Sequence, residues 1–118
     1  MSESLIDPIE LTQSLITHPS VTPNDEGVLK TLQDQLEKIG FKCTRMLFEE
    51  PGTKPVDNLF ATYGTGSPHL CFGGHTDVVP VGNLSSWTND PFDAVIKDGN
   101  LYGRGAADMK SAIAAFTA

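Results

Sequence analysis

Apolar positions along the chain change period twice. Up to residue 40 they recur at helical spacing, from 41 to 102 they fall in short runs broken by Gly and Pro, and near the end helical spacing returns. Leu11, Leu15 and Ile16 make the first stripe. It follows Asp7-Pro8-Ile9-Glu10, in which Asp7 can cap, Pro8 suits the first helical position and Glu10 stands where a capping box wants an acceptor. Pro19 ends that helix. Val28, Leu29, Leu32, Leu36 and Ile39 predict a second helix that starts after Thr22-Pro23 and runs to about Ile39, with Gly40 as its left-handed stop.

Residues 41–48 are rich in β-formers and predict a strand, and 49–56 read as a Pro/Gly/charged loop. Residues 58–63 and 69–72 read as two strands joined by the hairpin-type turn Gly64-Thr65-Gly66-Ser67-Pro68. A long irregular stretch follows Gly73-Gly74, through Trp87 to Phe92. Residues 95–102 form a second hairpin with Asp98-Gly99 at its tip, and a third helix starts near Met109. Two helices, a run of strands and another helix predict an α/β fold. The last helix has neither a cap nor a following strand, so residues 1–118 are expected to be part of a larger domain whose later strands lie beyond Ala118.

Charge narrows the partners. The net charge is −7 with no Lys/Arg cluster, so neither nucleic acid nor an anionic membrane surface is expected to bind. No stretch approaches the ~18 apolar residues of a membrane helix. The start, Met1-Ser2-Glu3-Ser4-Leu5-Ile6-Asp7-Pro8, has no basic and apolar leader pattern. Cys43 and Cys71 both sit in apolar runs, as buried thiols would, and do not form a spaced framework. The expectation is a cytoplasmic protein.

Candidate chemistry gathers in two segments. In Gly73-Gly74-His75-Thr76-Asp77-Val78-Val79-Pro80 a short apolar strand delivers His75 to its carboxyl end, where ligands of open α/β sheets collect. A neutral imidazole is a good zinc ligand, and Asp77 could hold its second nitrogen. Taken singly, a His and an Asp flanking a turn are more often an ordinary hydrogen-bonded loop than a metal site. The second segment is Asp98-Gly99-Asn100-Leu101-Tyr102-Gly103-Arg104-Gly105-Ala106-Ala107-Asp108-Met109-Lys110, in which two glycines lead into a helix opening at Asp108. It lacks the third small residue of a dinucleotide loop, and Met109 occupies the glycine position of a phosphate loop. A carboxylate there suits a cation, or serves simply as a helix cap. His18, beside Pro19, and His69, opening a predicted strand, read as structural or surface residues, and Trp87 and Phe92 as packing.

Together, the two segments and the intervening Trp87…Asp90-Pro91-Phe92 resemble the two-metal aminoacylase and carboxypeptidase family. Within it they look most like a branch that removes succinyl groups from N-succinyl-LL-2,6-diaminopimelate. One departure is Ser111, where that branch usually has Gly. The resemblance implies a partial three-layer αβα, zinc-exopeptidase-like catalytic domain with a mixed sheet. It also implies two divalent metal ions, zinc or cobalt, with His75 as a ligand of one, Asp108 bridging both and Asp77 orienting His75. The peptide bond after Asp108 is implied to be cis. The general-base Glu, the remaining ligands and the residues that choose the substrate are implied to lie downstream. So is the inserted domain through which such enzymes usually form homodimers, and residues 1–118 alone would then be inactive. An acetylornithine-type deacylase or a metallo-dipeptidase fits the same motifs less closely. A non-catalytic binding module would have no need of His75, Asp77 and Asp108 together.

Overall fold

The computed structural model describes residues 5–118, so the leader reading of residues 1–4 lies outside it. Helix α1 spans Pro8–Ile16, and the Asp7 carboxylate caps it by accepting from the Ile9 and Glu10 amides at 2.8 and 3.3 Å. Among the described residues Glu10 makes no return bond, so the cap is one-sided. Helix α2, Val28–Lys38, starts at the first residue of its apolar stripe, later than the boundary expected after Thr22-Pro23. Asp25 intercepts the chain first. Its two carboxylate oxygens accept from the Gly27 and Leu29 amides, and Glu26 and Gly27 both take left-handed conformations. At the far end Gly40 adopts φ 101°, letting its own amide reach the Glu37 carbonyl and the Phe41 amide reach that of Leu36. Those two bonds satisfy the helix's last carbonyls.

Helix α3 spans Ser111–Thr117 and packs on α1, which also meets α2. Leu11, Leu15, Val28, Leu29, Leu32, Leu36, Ile113 and Ala114 form the buried core between the three. Strands β1, Lys42–Phe48, and β2, Val56–Thr62, form an antiparallel ribbon that lies on α2 through Cys43, Leu59 and Ala61. A second antiparallel ribbon joins β3, Val95–Lys97, to β4, Asn100–Tyr102. Asp98 (φ 53°) and Gly99 (φ 79°) make its tip, as the Asp-Gly pair predicts.

Three expectations are corrected. Residues 69–72 form no strand and Gly64–Pro68 no hairpin, because no neighbour among the described residues offers this stretch a hydrogen-bonding ladder. Leu70 is accordingly 90% exposed, and Cys71 is an exposed thiol where a buried one was expected; Cys43 is half-buried. No mixed sheet forms among the described residues: both ladders are antiparallel, and the single parallel contact is the Val21–Val78 bridge.

Candidate metal centre

The bridge at Val78 sets the first site segment. The Val78 amide donates to the Ser20 carbonyl (2.9 Å), the Thr22 amide donates to the Val78 carbonyl (3.0 Å), and the buried Ser20 hydroxyl donates to the Thr76 carbonyl (2.7 Å). His75 is therefore held by pairing with residues 20–22 rather than by the strand expected at 69–72. Gly74 lies where a side chain would strike the Phe72 ring at 2.9 Å and Met109 at 3.3 Å. That close approach brings the two segments together, and the His75 amide sits 3.4 Å from the Met109 sulfur.

The second segment turns more sharply than a helix start. The Asp108–Met109 bond is cis, as the resemblance implies. Asp108 (φ −126°, ψ 95°) and Met109 (φ −139°, ψ 33°) are not helical, so α3 opens at Ser111 and not at Asp108. The glycines before them are required by their neighbours. At Gly103 a Cβ would meet Ile16 at 2.8 Å, and at Gly105 it would meet Val78 at 2.8 Å in a backbone with φ 89°. Arg104 between them stacks its guanidinium over Trp87 (5.2 Å) and donates to the Pro80 carbonyl (3.4 Å). Trp87 in turn donates to the Val81 carbonyl (3.0 Å), so it supports the loop.

The two turns meet in an open cleft of about 210 Å³ whose lining includes His75, Asp77, Arg104 and Asp108. His75 Nε2 lies 3.0 Å from Asp108 Oδ1. On the other side of the ring, Nδ1 is 3.0 Å from the Asp77 carbonyl and 3.2 Å from its Oδ1. The His75 pKa is raised, first by the bond to the Asp77 carbonyl and then by the Asp77 and Asp108 charges, while partial burial opposes them. A neutral ring that donates Nδ1–H to Asp77 presents its Nε2 lone pair on the Asp108 side, whereas a protonated ring donates Nε2–H to Asp108 Oδ1. A nitrogen and a carboxylate oxygen so placed fit two donors of one ion, since bonds of about 2 Å at a tetrahedral angle put ligands roughly 3.3 Å apart. Described residues gather no group of three or more His, Cys, Asp or Glu able to hold an ion.

The other histidines lie elsewhere. His18 is tied by Nδ1 to the Glu26 carbonyl (2.9 Å) and by Nε2 to the Thr31 hydroxyl (2.8 Å), and His69 is exposed. Sequence reasoning missed Ser20 and Lys110. Lys110 is fully buried and donates to the carbonyls of Leu15 (2.8 Å) and His18 (3.0 Å) at the end of α1. Burial pulls its ammonium down to about 8, opposed by the Asp25 charge. A lone charged residue beside Met109, Ala112 and Ile113 was the available signal.

Comparison with known proteins fits this arrangement. Residues 71–118 match the model of a family described as Peptidase family M20/M25/M40. The chain is 62% identical over 113 residues to a protein of Caulobacter vibrioides (strain NA1000 / CB15N) named succinyl-diaminopimelate desuccinylase, a match covering 96% of this chain and 28% of that protein. A protein of the same name from Parvibaculum lavamentivorans is 59% identical over 112 residues, covering 95% and 28%. One from Beijerinckia indica subsp. indica is 55% identical over all 118 residues, 30% of its length. The chain thus spans under a third of the length of these curated relatives. The resemblance read from the two motifs holds along nearly the whole chain.

Proposed function

We propose that this chain, similar over nearly its whole length to succinyl-diaminopimelate desuccinylases, supplies residues 1–118 of the catalytic domain of a metal-dependent amide hydrolase. The substrate we assign is N-succinyl-LL-2,6-diaminopimelate, cleaved to succinate and LL-2,6-diaminopimelate in lysine and diaminopimelate biosynthesis. The observation that carries the reading is the approach of His75 Nε2 and Asp108 Oδ1 to 3.0 Å, from turns 33 residues apart, at an exposed cleft. In this reading His75 would hold one divalent ion, zinc or cobalt, and Asp108 would hold two. Bound there, the ions would polarise the scissile carbonyl and ionise a water at neutral pH. Asp77 keeps the His75 proton on Nδ1, which leaves Nε2 free as a donor. Gly103 and Gly105 let the turn around Arg104 pack closely on Ile16 and Val78, and Arg104, held on Trp87, lines the cleft.

Among the described residues no Glu lines the cleft, and the general base and further ligands are assigned to sequence after Ala118. So are the remaining strands of a three-layer αβα domain and a homodimer-forming domain. We assign a cytoplasmic location; among the described residues no helix is long and apolar enough to cross a membrane.

The test follows amide loss from N-succinyl-LL-2,6-diaminopimelate by the full-length protein, stripped of metal and then reloaded with zinc or cobalt. Metal-dependent release of succinate is expected. Faster cleavage of N-acetylornithine or a dipeptide would reassign the substrate, and turnover unaffected by chelation would remove the metal. Residues 1–118 alone are expected to show no turnover, for want of a general base worth roughly 10²–10⁴-fold.

A further inference from the structure

His75 and Asp108 must keep one mutual geometry although 32 residues of chain separate them. Both of their turns are fastened to the same short segment. Ser20 receives the Val78 amide and donates its hydroxyl to Thr76, the residue after His75. Two positions past Asp108, Lys110 reaches the carbonyls of Leu15 and His18. That segment is itself pinned to the second helix, because the His18 ring bonds the Glu26 carbonyl and the Thr31 hydroxyl. Neither Ser20 nor Lys110 lines the cleft, and both are fully buried. Packing alone would favour an apolar side chain at position 110, since a buried ammonium is costly unless hydrogen-bonded. What the ammonium adds is a cross-link between the end of α1 and the Asp108 turn.

We propose that residues 15–22 form a bracket setting the distance between the His75 and Asp108 turns, with Ser20 and Lys110 as its positioning residues. The proposal rests on the reading of His75 and Asp108 as metal donors. Each tether restrains one turn, so cutting either lets its donor wander from the position the other expects. Outer partners of metal ligands typically change affinity about 10–100-fold, and the bracket residues belong at the lower end of that range because they act through the backbone.

The experiment uses the full-length protein with cobalt(II) as probe. Affinity is measured by chelator competition, the visible spectrum of bound cobalt reports its coordination, and thermal unfolding is recorded without metal. Ser20→Ala and Lys110→Met are compared with wild type and with His75→Ala. Both bracket variants are expected to bind cobalt about tenfold more weakly and with an altered spectrum, well below their unfolding temperatures. A lowered unfolding temperature with wild-type affinity and spectrum would mean that the two residues only stabilise the fold, and would overturn the bracket. Should Lys110→Met fail to fold, Ser20→Ala decides the matter alone. Unchanged affinity in His75→Ala would bring down the metal reading and this proposal together. A weakened His75→Ala beside an unaltered Ser20→Ala overturns the bracket only.

Discussion

The cleft and the β1–β2 ribbon are built on opposite plans. Around the cleft nearly every turn is fixed by a named bond: Ser20 to Thr76, Lys110 to Leu15 and His18, Trp87 to Val81. The ribbon is held by its own ladder and by one face on α2. Its other side leaves Phe48 60%, Phe60 57% and Val56 47% exposed. One polar link ties the ribbon to the helix, through Arg45, which bonds Asp57 and reaches Gln33. The difference teaches that donor geometry here is specified by buried polar contacts, whereas the ribbon relies on apolar burial that is only half complete.

Breaking the cleft has the largest expected effect. In the full-length protein Asp108→Ala is expected to empty both metal positions and lower kcat/KM about a thousandfold or more, the equivalent of several kcal/mol. His75→Ala should weaken one position and spare the other. Metal content per subunit separates them, and equal full occupancy in both variants would end the assignment. Next comes the core beneath both regions. Leu36 of α2 is buried in that core, and Leu36→Ala is expected to cost about 2–5 kcal/mol in urea unfolding. If cobalt affinity below the transition fell as much as it does in Ser20→Ala, the two regions would not be separable.

Asp77→Ala tests the cleft more finely. Turnover is expected to drop about 10–100-fold with the unfolding midpoint little changed, since the carboxylate is exposed while the backbone bond to His75 survives. Wild-type turnover would remove the Asp77 side chain from the mechanism. The smallest effect belongs to the ribbon. Hydrogen bonds from Arg45 hold the Asp57 carboxyl below its usual range. That stabilisation is present above the unfolded value of about 3.9 and fades as pH falls through the lower folded value. Asp57→Asn should therefore cost about 1 kcal/mol or less at neutral pH and flatten the acid limb of stability below about pH 4. A loss that persists undiminished at pH 2 would point to packing instead of charge.

Elements governed by local rules were legible in the sequence. Asp7, Gly40 and Asp98-Gly99 each act within a few residues of themselves, and each does what its type predicts. Long motifs made His75, Asp77 and Asp108 legible as candidates, and the fold brings all three to one cleft. Features that depend on distant partners were not legible. Whether residues 69–72 make a strand depends on a neighbour and not on their apolar content. The start of α2 agrees with its apolar stripe, and the Asp25 carboxylate, not Thr22-Pro23, marks its boundary. Ser20 carries no signature of its role, and Lys110 only that of a charge set among apolar residues, because each role is defined by a carbonyl 56 to 95 residues away.

The ammonium that finishes α1 also bears on how the protein is made. Leu15 and its donor are 95 positions apart, so the first helix emerges from the ribosome long before the group that completes it. At roughly 5–20 residues per second, that interval lasts about 5–20 s. Through it the helix end must rely on water, and closing so long a loop is an entropic step that local helix formation cannot hasten. Assembly of the cleft is thereby made a late event in synthesis, and a nascent chain stalled before residue 110 would lack the tether that ties the Asp108 turn to the end of α1.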